Sequence, residues 1–202
     1  MSSRTALFTI DIQNELSLNP QTRIPHADRI LTASTEILKT ARSIIDAHRE
    51  TNRPSPSIIV FVQHEESPTE GGTLIKGSEA WELAFGPRDG VEEEVLVSKT
   101  TGDTFKSNRN LAQKLRAAGV TDIVVFGLQS EACVEATCTG ALAAGFRVTL
   151  LAGAHSTYDD QKEGKMAVEV EREVERRLST RGVRVLSWEK AVAGWVERQR
   201  VG

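Results

Sequence analysis

The sequence predicts an α/β fold: three layers, α/β/α, around a mainly parallel six-stranded sheet of Rossmann-like type. Three observations carry this reading. Short apolar runs rich in β-branched residues recur at residues 6–10, 57–63, 95–98, 123–126, 146–151 and 182–187, as strands buried on both faces require. Stretches of helical periodicity alternate with them, and a βαβ alternation implies parallel strands with helices on both faces. The 202 residues contain no internal repeat, low-complexity tract or linker, so residues 1–202 are read as one domain with 39% hydrophobic and 26% charged residues.

The first strand ends at Asp11 and runs on into Ile12-Gln13-Asn14. Carboxyl ends of strands form the rim where α/β proteins bind ligands, so Asp11 either faces a site or caps the following turn. Residues 27–50 carry Ile30, Leu31, Ile37, Leu38, Ala41, Ile44 and Ile45 at the spacing of an amphipathic helix, and Pro54 and Pro56 stop it. The second strand ends at His64, which reads as a substrate contact, a metal ligand or a hydrogen-bonded structural residue. Residues 65–93 lack periodicity; long loops of this kind are commonly lids or binding loops, and Trp81 in it either walls a pocket or packs the loop down. Lys99 stands at the end of the third strand. Phe105 follows, then a helix over residues 108–118 closed by Gly119.

The fourth strand leads through Gly127 into Leu128-Gln129-Ser130-Glu131-Ala132-Cys133, where a helical pattern begins. Ser130 is placed to cap that helix and Glu131 to favour its first turn. A thiol there sits in the positive end of the helix field, which predicts a pKa below the free value of about 8.5. Cys133 is thus a candidate nucleophile, set against the alternative of an inert buried thiol. Cys138, five residues on within the helix body, reads as filler, too far round the helix for a disulfide or shared metal site. The fifth strand opens into Gly153-Ala154-His155-Ser156-Thr157-Tyr158. A heavily charged helix over residues 162–179 carries Met166, Val170, Val174 and Leu178 on one face, its other face reading as solvated surface. The sixth strand and a helix over residues 188–199 close the chain.

Composition narrows the function. A formal charge of -3 leaves no electrostatic footprint for nucleic acid or anionic membrane. Met1-Ser2-Ser3-Arg4 lacks a signal-like apolar region, no apolar run has membrane-spanning length, and two cysteines make no disulfide framework, so a reducing cytoplasm is the expected location. Asp11, Lys99 and Cys133 fall at the carboxyl ends of strands one, three and four. Together they make chemical sense: Asp11 as base for the thiol proton, Lys99 favouring carboxylate and thiolate, and backbone N–H groups of the turn before Cys133 holding an oxyanion.

Four motifs in this order, Leu7-Phe8-Thr9-Ile10-Asp11-Ile12-Gln13-Asn14, Lys99 with Phe105, Gly127-Leu128-Gln129-Ser130-Glu131-Ala132-Cys133-Val134 and Ala154-His155-Ser156-Thr157, resemble the isochorismatase-like cysteine hydrolases across residues 5–186. That superfamily includes nicotinamidases and N-carbamoylsarcosine amidohydrolase. The resemblance implies an Asp11-Lys99-Cys133 triad, attack of Cys133 on a carbonyl carbon, and a thioester that water hydrolyses. It implies a cis peptide between Leu128 and Gln129, and the N–H groups of Gln129 and Cys133 as oxyanion hole. It also implies a homodimer or homotetramer. Nicotinamidases resemble one another in an Asp-x-His strand end that helps bind a metal; here the run is Val62-Gln63-His64, and no further histidine follows in the loop, so neither metal nor cofactor is expected. True isochorismatases lack the cysteine. Gly153 stands where many relatives carry an aspartate, and the segment after Phe105 is one residue longer than the commonest spacing. The expectation is a cysteine amidohydrolase for a small-molecule carbonyl substrate, with Gln13, His64, Trp81 and Phe105 lining the pocket; the alternatives are an ester or cyclic-amide hydrolase, or a silent small-molecule binder or thiol sensor.

Overall fold

Apolar β-branched runs give six strands that share one sheet in a computed structural model, which describes residues 3–202; Met1 and Ser2, part of the N-terminal reading above, lie outside the described residues. The strands are β1 (Arg4–Ile10), β2 (Ser57–His64), β3 (Glu94–Lys99), β4 (Val120–Leu128), β5 (Arg147–Ser156) and β6 (Arg184–Ser187). Their order is β3-β2-β1-β4-β5-β6 and every pairing is parallel. The fold is therefore the predicted three-layer α/β/α arrangement. Strand order reverses between β1 and β4, so the crevice at their carboxyl ends is where such sheets bind ligands.

The helices are α1 (Asn14–Ser17), α2 (Ala27–Glu50), α3 (Thr104–Ser107), α4 (Leu111–Ala117), α5 (Glu135–Ala143), α6 (Ala167–Thr180) and α7 (Trp188–Arg198). On one face of the sheet, Leu7, Phe61 and Phe126 pack beneath the apolar stripe of α2 and beneath Trp195 of α7. On the other, Phe8, Val60 and Val125 meet Leu111, Val134, Cys138 and Val174. Cys138 is fully buried there, as its filler reading requires. Among the described residues no helix is long and apolar enough to cross a membrane.

Beyond shifts of a few residues at strand ends, the elements differ from the sequence expectation in four places. β5 runs on to Ser156 and takes in residues 153–156, which read as the loop after it. The segment after Phe105 splits into α3 and a later, shorter α4, because the Asp103 side chain caps α3 by accepting from the Phe105 N–H at 2.8 Å and Asn108 ends it. α6 begins at Ala167, since Asp160 and Lys165 close a turn through paired backbone bonds and Asp159 accepts from the Ala167 N–H at 2.7 Å. A one-turn π-helix, Ser130–Val134, precedes α5, so the turn holding Cys133 is wider than the α-helical start expected.

One glycine sets the approach to that turn. Gly127 pairs with Ile10 at φ +126°, and a Cβ there would lie 2.2 Å from the Ile10 carbonyl oxygen. β1 and β4 can close up at their carboxyl ends only because this position has no side chain.

Candidate active site

Three strands deliver three side chains to one point at the reversal of strand order. The chain leaves β1 through Asp11, held at φ +48°, a left-handed conformation that aspartate tolerates better than most residues. Its carboxylate is buried and does not cap the following turn; it turns to Lys99, whose Nζ lies 2.7 Å from Oδ2. The Lys99 side chain, at the end of β3, is 0% exposed, although a strand-end lysine is usually solvated. The same Nζ sits 3.1 Å from Cys133 Sγ and 3.1 Å from His64 Nδ1. The ammonium is the hub of the site.

The electrostatics overturn one expectation. Cys133 is not an ionised thiol: burial and then the Asp11 charge push its pKa up to about 12, outweighing the opposing pull of Lys99. Burial also raises the Asp11 pKa above the ordinary carboxylate range despite Lys99, while Lys99, desolvated but flanked by Asp11 and Cys133, stays firmly cationic with its pKa raised. His64 goes the other way, its pKa lowered by burial and then by the neighbouring Lys99 charge. The resting site is thus a protonated thiol beside a carboxylate whose basicity has been raised.

The nucleophile turn is fixed from behind. The Leu128–Gln129 peptide is cis, as the resemblance implies. The Ala132 and Val134 N–H groups both donate to the Gln129 carbonyl, at 3.2 and 3.1 Å. Ser130 does not cap by its side chain; its hydroxyl meets His155 Nδ1 at 2.8 Å, and His155 Nε2 lies 3.3 Å from Glu175 Oε1. Thr157 donates to Glu131 at 2.8 Å, and Ser156 to Glu171 at 2.5 Å, which in turn pairs with Arg29 at 2.6 Å. The end of β5 thus bolts down the turn from Ser130 to Cys133. Arg29, Glu171 and Glu175 were missed by sequence reasoning, which assigned the charged face of α6 to solvent. Glu171 is buried, and the signal was its place with Glu175 one helical turn apart, beside the apolar Val170 and Val174.

The four expected pocket residues divide. His64 faces Lys99 and also lines a cavity of about 650 Å³ with Glu65, Glu66, Ser67, Pro68, Gly72 and Thr100. Gln13 is fully buried and its amide is spent on backbone: Nε2 donates to the His64 and Trp81 carbonyls at 3.0 and 2.7 Å, and Oε1 accepts from the His64 N–H at 2.9 Å. It positions His64 and the loop. Trp81 is half-buried, its carbonyl held by both Gln13 and Gln63. Phe105 turns into the core, its ring stacked 5.9 Å from that of Phe8 and tilted by 37° to that of Phe146 at 6.0 Å. Gly153, the departure noted above, adopts φ +80° with a Cβ position 3.2 Å from the Trp188 ring, where any side chain would crowd the indole.

Asp11, His64 and Cys133 present donor atoms within 4.8 Å of one another, a spacing that would suit a metal ion. Lys99 Nζ already contacts all three, and a cation there would meet the ammonium. The nicotinamidase-type set fits no better, since Gln63 replaces its aspartate and is bound to the Trp81 carbonyl while His64 Nδ1 faces Lys99. These residues do not fit a resident metal.

A family model, the isochorismatase domain, matches residues 5–190. The chain belongs to the isochorismatase family. It is similar to a streptothricin hydrolase of Streptomyces noursei, 34% identical over 154 residues that cover 76% of this chain and 55% of that protein. It thus spans about half the length of the streptothricin hydrolases it matches. A probable inactive nicotinamidase of Arabidopsis thaliana is 30% identical over 156 residues, 74% of this chain and 79% of that one. Among solved structures, a cysteine hydrolase from Pseudomonas syringae pv. phaseolicola superposes with a TM-score of 0.78 at 19% identity, covering 97% of this chain and 93% of that one, a likeness of fold. This isochorismatase-family chain thus has its Asp11, Lys99 and Cys133 gathered in the crevice where the strand order reverses.

Proposed function

We propose that the protein is a metal-independent cysteine hydrolase that cleaves the C–N bond of a small amide through a thioester on Cys133. The single observation that supports this most strongly is the buried Lys99 ammonium 2.7 Å from a carboxylate and 3.1 Å from a thiol. Family membership, with relatives named as hydrolases, supports the same class.

Asp11, its basicity raised by burial, takes the Sγ proton as sulfur attacks the substrate carbonyl carbon; Lys99 offsets the charge that moves onto sulfur. The N–H groups of Gln129 and Cys133 hold the tetrahedral oxyanion. Collapse breaks the C–N bond, Asp11 returns the proton to nitrogen, and ammonia or an amine leaves. Water, deprotonated by Asp11, then attacks the thioester, giving a carboxylic acid and the restored thiol. In this reading the cavity beside His64 admits the substrate, and Gln13 holds His64 and the Trp81 segment of the loop in place.

The test is release of ammonia or amine from a panel of primary aryl amides, N-carbamoyl amino acids and small lactams. Turnover of at least one class that Cys133→Ser abolishes is the expected result. Turnover that survives Cys133→Ser would contradict the thiol mechanism, and no turnover across the panel while a panel member binds would make this a silent binder.

A further inference from the structure

We infer that His64 works through Lys99: its ring Nδ1 takes one hydrogen bond from the ammonium and so aims the remaining N–H groups at Asp11 and Cys133, which makes His64 a positioning residue. The placement begins in the sheet. His64 and Lys99 are register partners on the parallel strands β2 and β3, so their side chains leave the sheet on the same face. Gln13 fixes the backbone beneath the ring, accepting from the His64 N–H at 2.9 Å and donating to the His64 carbonyl at 3.0 Å.

Which ring nitrogen carries the proton follows from the partner. An ammonium has three protons and no lone pair, so the Nδ1 that lies 3.1 Å from Lys99 Nζ can only accept. Two cations at that distance would repel each other strongly. Burial and then the Lys99 charge lower the His64 pKa, while Lys99, despite its own burial, is held cationic by the Asp11 carboxylate 2.7 Å away. His64 is therefore neutral, with its proton on Nε2. Among the described residues none bonds to that Nε2, so the one hydrogen bond of the ring within the protein is the bond to Lys99.

The ammonium needs this bond as much as the ring does. Its side chain is 0% exposed, and its three protons face three acceptors: Asp11 Oδ2 at 2.7 Å, Cys133 Sγ at 3.1 Å and His64 Nδ1 at 3.1 Å. A buried charged donor without a partner is costly, so with Nδ1 removed the ammonium re-aims or draws in water, and its hold on sulfur slackens. In the reaction proposed above, on which the turnover measurement rests, Lys99 offsets the charge that moves onto sulfur. His64 therefore acts on the chemical step and not on the grip on substrate.

Side-chain geometry supplies the test. Asparagine places its Oδ1 where Nδ1 stands in histidine, whereas the glutamine amide reaches to the place of Nε2. With the amide found in the panel, His64→Leu and His64→Gln lower kcat by about 10- to 100-fold, the worth of one hydrogen bond to a charged group, and leave KM little changed; His64→Asn restores most of the loss. Two readouts need no substrate, so they decide the matter even if the amidase reading fails. Site-resolved iodoacetamide alkylation of Cys133 at fixed pH slows in His64→Leu and His64→Gln, and recovers in His64→Asn. Nitrogen NMR of isotope-labelled histidine in the wild type, which needs no variant to fold, shows His64 with a bare Nδ1 and a protonated Nε2 at neutral pH. A His64 proton on Nδ1, or an alkylation rate that His64→Leu leaves unchanged or that His64→Gln recovers in place of His64→Asn, overturns the proposal. So does a raised KM with unchanged kcat, which would make His64 a substrate contact through Nε2.

Discussion

At the scale of single residues, the protonated Cys133 makes a prediction that separates reactivity from catalysis. The Asp11 charge raises the thiol pKa, so Asp11→Asn lowers it and speeds iodoacetamide alkylation of Cys133 at fixed pH, while the lost base cuts turnover by about 10²- to 10⁴-fold. Lys99→Met removes the cation that favours the thiolate and slows alkylation. In wild type the alkylation rate keeps rising through pH 10 without a plateau near the free-thiol value, because the pKa is about 12. Site-resolved mass spectrometry, with buried Cys138 as the unreactive control, reads all three. Turnover follows Asp11, so its acid limb lies above the ordinary carboxylate range, in line with the raised pKa. The identities of these groups were legible in the sequence because each lies at or just past the carboxyl end of a strand of the same sheet. The direction of the thiol shift was not, because helix position is local information while burial comes from several chain segments brought together by the fold and the Asp11 charge from the far end of the chain.

At the scale of elements, two joints hold the site. Gly127→Ala drives a Cβ into the Ile10 backbone at a φ of +126° and costs roughly 3 kcal/mol, read as a lowered thermal midpoint with loss of activity. Glu94, its side chain fully buried at the start of the strand that carries Lys99, accepts from Arg42 at 2.9 Å and from Arg88 at 2.6 Å, and Arg88 continues to Asp46 at 2.9 Å. Burial opposes ionisation, yet the bonds from Arg42 and then Arg88 hold the Glu94 pKa below its usual value. A depressed carboxylate stabilises the fold above the unfolded-state pKa of about 4.3, and that contribution is lost as pH falls through the lower folded value. Glu94→Gln should therefore lower stability at neutral pH and narrow its gap to wild type in acid, measured by urea unfolding from neutrality down to low pH. The strands were legible because each is a continuous apolar run. The start of α6 and the division into α3 and α4 were not, because caps such as Asp103 and Asp159 become visible only once their acceptor geometry exists. The long loop was recognised by its lack of period, but its anchoring by Gln13 and Gln63 was hidden, since a glutamine amide bound to backbone looks the same in sequence as one facing a ligand.

At the scale of the whole molecule, the parallel sheet brings residues 11, 99 and 133 to one crevice and leaves the opposite faces to packing. The fold class was legible in the alternation of apolar runs with helical stretches, and Asp11, Lys99 and Cys133 as candidates in their places near strand ends and in the motifs of the resemblance, whereas the network behind the nucleophile, Arg29 to Glu171 to Ser156 and Glu175 to His155 to Ser130, depends on α6 crossing the end of β5. Phe105 shows the same limit from the other side, since proximity to Lys99 in sequence suggested a pocket and the fold used its ring for the core. The central claim is covalent: the carbonyl carbon of an amide becomes bonded to Cys133 before water arrives. The most direct measurement is acid quench during turnover of an amide found in the panel, followed by mass analysis of the peptide carrying Cys133. The account predicts that this peptide gains the acyl mass, the substrate less its amine, and loses it on treatment with hydroxylamine. An unmodified Cys133 peptide throughout turnover, or an acyl group on any other residue, would contradict it.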